Sequence, residues 1–340
     1  MRTTPVSSKT RRTGAEAPDL LRQLSDRLVG QPRALAQIVP YVQMHQAGLA
    51  PEGRPAGVFL LLGPTGTGKT RTVEVLAQAL HGSEKSLLKV DCGEFQMEHE
   101  VAKLIGAPPG YLGHRETQPM LSQQKLNAVT SDQSSLALVL FDEIEKAASS
   151  MTRLLLGVLD KAVLRLGDNT QVSFERTIIF LTSNLGAEAM RKHLRPDFGF
   201  ETMTAGRRDA GKKLEGIGMN AVRRKFSPEF VNRIDAVITY QPLGAKALAT
   251  IVDQQIEALE QHIANRLMER AFEIEVSNGA REFLLRKGTS EEYGARELKR
   301  IILRHLTQPL AVMVTNGSIL PGDVVRVEGS AEGLTLKVQE

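Results

Sequence analysis

Residues 63–70, GPTGTGKT, constrain this chain more than any other stretch. They fit G-x-x-x-x-G-K-[ST] at every position, follow the apolar run VFLLL and open KTRTVEVLAQALHG, which puts Val73, Leu76, Ala77 and Leu80 on one helical face. A glycine-rich turn between a buried strand and a helix points backbone N–H groups inward, and the helix adds the positive end of its dipole. This is a phosphate site. Gly63, Pro64, Thr65, Gly66, Thr67 and Gly68 are expected to wrap the phosphates, Lys69 to bridge the β- and γ-phosphates, and Thr70 to ligate Mg²⁺. A chance glycine-rich turn would not require those flanking elements.

A triphosphate site also needs a metal-side acid on a neighbouring strand. The run LALVLFDE ends in Asp142, suited to the Mg²⁺ shell, and Glu143, suited to a general base on water. Such base catalysis is worth roughly 10²–10⁴-fold. The alternative is that the two acids cap the next helix. Asn184, at the end of LTSN, either orients the attacking water or touches the γ-phosphate; equally, Ser183 or Asn184 caps the helix that follows. On residue type alone, Arg233 in FSPEFVNRID is a surface arginine paired with Asp235 or Glu229, and Arg296 in YGARELKR shares a solvated face with Lys299 and Arg300. The stretch GAPPGYLGH, residues 106–114, is too rich in glycine and proline for a helix or strand, yet it sets Tyr111 and Leu112 between Gly110 and Gly113.

The apolar runs VFLLLG, LLKVD, LALVLFDE, TIIFLTSN and VITY alternate with helical segments, the pattern of a parallel sheet covered on both faces. After YQPLG, residues 240–244, come a long helix, an alternating FEIEV, two further helices (the second running through YGARELKRIILRHLTQPLAVMV) and two terminal strands. The fold class is therefore α/β: a phosphate-loop parallel-sheet large domain over residues 20–242 and a smaller C-terminal α+β domain over residues 243–340, preceded by a disordered basic tail at 1–19. The polar stretch 201–216 reads as a surface loop.

Charge narrows the partners. Of 43 Lys and Arg residues, Arg2, Lys9, Arg11 and Arg12 fall in the first thirteen positions, and the remaining 39 are matched by 39 acids. A balanced body with no Trp and 4% aromatics offers neither a nucleic-acid footprint nor base-stacking platforms. The apolar runs are too short to span a bilayer, and Cys92 is a single cysteine, so no membrane contact, no internal disulfide and a reducing, cytoplasmic setting are expected.

The order LVGQ, GPTGTGKT, GAPPGYLG, FDEIEKA, LTSNLGA, FSPEFVNRID, GARELKR makes the chain from about residue 27 onward resemble the second ATPase module of the Clp-type AAA+ unfoldase and chaperone ATPases. The resemblance implies ATP hydrolysis with Mg²⁺ in a homo-oligomeric, hexameric ring acting on unfolded proteins. It implies an adenine-side contact at Val29 and Gly30, a first sensor at Asn184, an arginine finger at Arg233 reaching the neighbouring subunit's nucleotide, and a second sensor at Arg296. It also gives Gly110, Tyr111, Leu112 and Gly113 a role as a pore loop gripping polypeptide, against the alternative that Tyr111 packs on its own domain. Phe198-Gly199-Phe200 sits where peptidase-binding members carry a docking loop. The segment after the pore loop, HRETQPMLSQQKLNAVTSDQSS, departs from the family, EKAA replaces its EKAHP, and the length leaves no room for an amino-terminal substrate domain, a first ring or a coiled-coil middle domain. Rival readings are a slowly hydrolysing regulatory ATPase and a nucleic-acid motor.

Overall fold

A computed structural model describes residues 20–106, 118–194, 207–289 and 294–339. The chain starts with α1 (Leu20–Arg27) and α2 (Pro32–Gln46), the second opened by Pro32 in its first turn. Then come β1 (Gly57–Leu62), α3 (Lys69–His81), β2 (Leu88–Asp91), α4 (Ala102–Ile105), α5 (Gln123–Ala128) and β3 (Ala137–Asp142). After them lie α6 (Ser149–Lys161), a hairpin of β4 (Val163–Arg165) and β5 (Gln171–Ser173), then β6 (Thr177–Ser183), α7 (Ala187–Leu194), α8 (Arg207–Lys225), α9 (Pro228–Val231) and β7 (Ala236–Thr239).

Five of these strands form one parallel sheet in the order β2-β3-β6-β1-β7. Successive side chains of a strand face opposite sides, and the burial follows that rule. Val58, Leu60 and Leu62 join Val139, Phe141, Ile179 and Leu181 in one core, while Phe59 and Leu61 join Leu138, Leu140, Ile178 and Phe180 in the other. Each such side chain removed from water contributes about 1.5–3 kcal/mol. The Phe59 and Phe180 rings stack 5.6 Å apart, and Tyr41 meets Phe59 edge-on at 5.0 Å. With both faces covered, ligand access falls to the carboxyl ends of the strands, where β1, β3 and β6 finish side by side.

The smaller C-terminal α+β domain has its own core around Val252, Ile256, Phe283, Leu298, Leu306 and Val325. It comprises α10 (Ala245–Leu267), β8 (Glu273–Val276), α11 (Asn278–Gly288), α12 (Ala295–Ile302), α13 (Gln308–Thr315), β9 (Val324–Gly329) and β10 (Leu334–Gln339). Its sheet runs β10-β9-β8, with β8 on the edge as its alternation predicts.

Two expectations need correction. Residues 207–216 do not form a loop: they begin α8. Glycines 211, 216 and 218 argue against a helix by propensity, but a Cβ on Gly218 would lie 2.9 Å from Met190 Cε and 3.2 Å from Leu62 Cδ1. Packing against the sheet edge selects glycine there and overrides local preference, with Leu214 and Val222 buried on the same face. The last long helix is likewise not regular throughout. A π-helical stretch, Leu303–Thr307, joins α12 to α13, and no residue type in it signals that change of period.

Candidate nucleotide-binding site

The phosphate loop leaves β1 with Gly63, Gly66 and Gly68 at φ of 144°, 77° and 100°, all left-handed values that suit glycine. A Cβ at Gly63 would also press on the Tyr240 carbonyl at 2.7 Å. Tyr240 is fully buried, and its hydroxyl pairs with Thr72 Oγ1 at 2.7 Å, which pins α3 against the end of β7. Lys69 opens α3 and is nearly buried. Its ammonium donates to the Gly63 and Pro64 carbonyls at 2.6 and 3.0 Å and to Asn184 Oδ1 at 3.0 Å. Burial lowers its pKa to about 8, against the opposing charges of Glu145 and Asp142.

The acids at the end of β3 and the polar groups ending β6 interlock. Thr182 Oγ1 donates to Asp142 Oδ1 and accepts the Glu143 N–H at 3.0 Å. Lys89 Nζ lies 2.8 Å from Asp142 Oδ2. Burial works against ionisation of Asp142, but the Lys89 and Thr182 bonds outweigh it and hold the carboxyl below the usual range. Glu143 sits at φ 58°, ψ 49°, a left-handed conformation that costs a non-glycine residue on the order of 1–3 kcal/mol. Its Oε1 accepts Asn184 Nδ2 at 3.1 Å and its Oε2 meets Lys146 Nζ at 2.5 Å. Neither Glu143 nor Asn184 caps a helix with its side chain; both are turned into the site.

These groups line a cleft of about 830 Å³, within the range of small-molecule sites. Val29, Thr65, Gly66, Thr67 and Gly68 face it from the loops, Thr70 from the first turn of α3, and Arg296 from α12. Arg296 is close enough for its charge to help lower the Lys69 and Asp142 values. Gly30, Gly63 and Pro64 are not among the residues that line it. A Cβ on Gly30, at φ 80°, would lie 2.8 Å from Leu243 Cδ2 on the link to α10. Arg233 is not part of the cleft. Its Nη2 lies 3.1 Å from Glu229 Oε1, its Nη1 donates to the Glu229 carbonyl at 2.9 Å, and its Nε is 3.3 Å from Asp160 Oδ1 without hydrogen-bond alignment. Asp235, the other expected partner, is instead taken by Arg54 at 2.5 Å and by the Val58 N–H at 2.8 Å. Gly110, Tyr111, Leu112 and Gly113 lie outside the described residues, as do Phe198, Gly199 and Phe200.

Gln31 was not singled out by sequence reasoning. Although it is 6% exposed, its side-chain Nε2 donates to the Thr67 carbonyl at 3.1 Å and the Gln241 carbonyl at 2.9 Å. It therefore staples the phosphate loop to the link between the two sheets. Two more bonds cross between the sheet units. Ala295 N–H donates to the Gly66 carbonyl at 3.2 Å, and Gln254 Nε2 donates to the Asp26 carbonyl at 3.0 Å.

The residues fit a magnesium nucleotide. The loop offers inward backbone donors and a buried cation, and Thr70 and Asp142 offer a hydroxyl and an ionised carboxylate on the same cleft wall.

Residues 54–237 match the model of the AAA domain (Cdc48 subfamily), and residues 243–327 match the C-terminal D2-small domain of ClpB protein. The chaperone protein ClpB of Meiothermus ruber is 36% identical over 327 residues, covering 95% of this chain and 36% of that protein. ClpB of Rhodopseudomonas palustris is 38% identical over 321 residues, covering 94% and 34%. The chain thus spans about a third of the length of these curated relatives. Among solved structures, the Saccharomyces cerevisiae Hsp104:casein complex in its extended conformation matches with a TM-score of 0.79 and 29% identity, over 94% of this chain and 52% of that one. A closed-state reconstruction of Hsp104 with ATPγS and FITC casein matches with a TM-score of 0.78 and 28% identity, over 94% and 51%. Among the described residues no helix is long and apolar enough to cross a membrane.

Proposed function

Because this chain belongs to the AAA-domain family, with a Clp-type module of large and small domains, we propose that it hydrolyses Mg²⁺-ATP in a homo-oligomeric, hexameric ring and uses the cycle to unfold, thread or remodel proteins. We take the boundary between the two domains at 242–243; the start of α10 at Ala245 supports it. The observation that carries the reading is the run of hydrogen bonds Lys69–Asn184–Glu143, which links the phosphate loop to the residues just past the ends of β6 and β3.

In this reading the loop N–H groups and Lys69 bind the β- and γ-phosphates, and Val29 with Gly30 borders the adenine. Thr70 and Asp142 are the residues that would hold Mg²⁺, which when bound would neutralise charge on the phosphate oxygens. Asn184 orients a water and Glu143 takes its proton as the water oxygen attacks the γ-phosphorus. The bond from the γ-phosphorus to the bridging oxygen breaks, and its electron pair stays on the β-phosphate of ADP. Arg296 reports the phosphate state to α12. Arg233, turned away from its own cleft, serves the cleft of the next subunit. Tyr111 and Leu112, flanked by Gly110 and Gly113, grip the substrate chain. Unfolded polypeptide is the substrate class, in keeping with the casein bound by the Hsp104 structures. The balanced charge of the body disfavours nucleic acid.

The test is ATPase stimulation. Unfolded casein is expected to raise the ATP turnover of the assembled protein while duplex or single-stranded DNA leaves it unchanged. Tyr111→Ala should lose the stimulation but keep a basal rate within about a few-fold of wild type and an unchanged melting temperature. A truncated core aromatic would instead cost about 3–5 kcal/mol. Stimulation by DNA alone, or by neither probe, would overturn the reading.

A further inference from the structure

The turn after the acidic pair carries a third acid that the hydrolysis scheme does not use. Glu145 lies in the 3₁₀ turn Ile144–Lys146. Its Oε1 accepts the backbone N–H of Asn184 at 3.0 Å, while its Oε2 is shut off from solvent and has no hydrogen-bond partner. Asn184 follows the last residue of β6, so its N–H falls beyond the ladder that pairs β6 with β1 up to Ser183. Glu145 supplies the partner that the sheet does not.

The direction of that backbone matters because the Asn184 side chain has two unlike neighbours. Its Oδ1 accepts from the Lys69 ammonium at 3.0 Å, and its Nδ2 donates to Glu143 Oε1 at 3.1 Å. Flipping the amide would set an N–H against an ammonium and an oxygen against a carboxylate, so one orientation is workable.

We propose that Glu145 is a positioning residue. By accepting the Asn184 N–H, it sets the direction from which the Asn184 amide meets Glu143 and Lys69. The inference rests on the reading of Asn184 as the group that orients the attacking water.

The experiment is a mutant cycle on the assembled protein: wild type, Glu145→Ala, Asn184→Ala and the double variant, with Glu145→Gln alongside. Hydrolysis rate at saturating ATP, nucleotide Kd and melting temperature are measured for each. Asn184→Ala is expected to slow hydrolysis. Glu145→Ala should slow it on the order of ten- to a hundred-fold, the scale of a small misplacement at a reacting centre, with Kd within about three-fold of wild type. In the Asn184→Ala background, adding Glu145→Ala should change the rate by less than about two-fold. Glu145→Gln keeps an acceptor oxygen and should retain most of the rate, which also carries the test should the alanine variant fold poorly. Losses that multiply in the double variant, an unaffected Glu145→Ala, or a glutamine variant as slow as the alanine one would each overturn the proposal. A wild-type rate in Asn184→Ala would instead remove its premise, and is told apart by that single variant.

Discussion

The nucleotide cleft and the segment around Arg233 treat their charged groups in opposite ways. In the cleft, Lys69 binds the loop backbone and Asn184, Asn184 binds Glu143, and Asp142 is held by Thr182 and Lys89, so these groups are positioned within a single chain. Arg233 is tethered to Glu229 and Asp160 on its own surface and meets none of the cleft groups. Its side chain keeps 23% of its surface exposed, and both of its acidic partners are solvent-exposed. The contrast separates groups that one chain gathers around its own cleft from an arginine held away from it, which on the function proposed above would serve the cleft of a neighbouring subunit.

The largest expected effect would break that contrast if it failed. Arg233→Ala should cost ~10³–10⁵ in turnover, the range of an arginine finger, and should be rescued by mixing with Lys69→Ala subunits, since one variant keeps the phosphate site and the other the finger. Mixed rings no more active than either parent would place Arg233 outside the reaction. A step smaller, Glu143→Gln should lower turnover by roughly 10²–10⁴-fold while equilibrium ATP binding persists, and it should not be rescued by Arg233→Ala subunits beyond their share of intact sites. Phosphate release measured beside nucleotide titration decides this; turnover near wild type removes Glu143 as the base.

The smallest effect sharpens the contrast through pH. Arginine stays charged throughout the accessible range, but Lys69 titrates at about 8 in the free protein. Its cationic form, the one that attracts phosphate, is present below that value and is lost as pH rises through it. The kcat/KM for ATP should therefore decline on the alkaline side with a midpoint near 8, while kcat declines later because bound phosphates stabilise the ammonium. Burial lowers this midpoint; of the charges that face Lys69, Glu145, Asp142 and Glu143 oppose the shift and Arg296 adds to it. A kcat/KM that stays flat well above pH 9 would show that Lys69 is not the group that binds phosphate.

What could be read from the sequence follows a physical divide. The phosphate loop announces itself because three left-handed backbone positions demand glycine at fixed intervals, and the buried strands announce themselves because both faces are apolar. Asp142 and Glu143 are legible as acids ending such a strand. Thr182, Lys89 and Gln31 are ordinary residues whose importance lies in partners 40, 53 and up to 210 positions away, and spacing along the chain carries no trace of those. Helix α8 was hidden for a related reason: its Gly218 answers to Met190 and Leu62 rather than to its neighbours in sequence.

The bond from Ala295 N–H to the Gly66 carbonyl joins the smaller domain to the phosphate loop using main-chain atoms on both sides. Such a joint is indifferent to inheritance at the residue that forms it: of the twenty amino acids, proline alone at position 295 would delete the donor. The burden of preservation passes to the position before it. Gly294 holds φ +50°, and a Cβ there would come 3.0 Å from the same Gly66 oxygen. A change of side chain at 295, on the wall of the cleft, leaves the donor in place, while a methyl group gained at 294 would strain the backbone and press on the very oxygen that receives it.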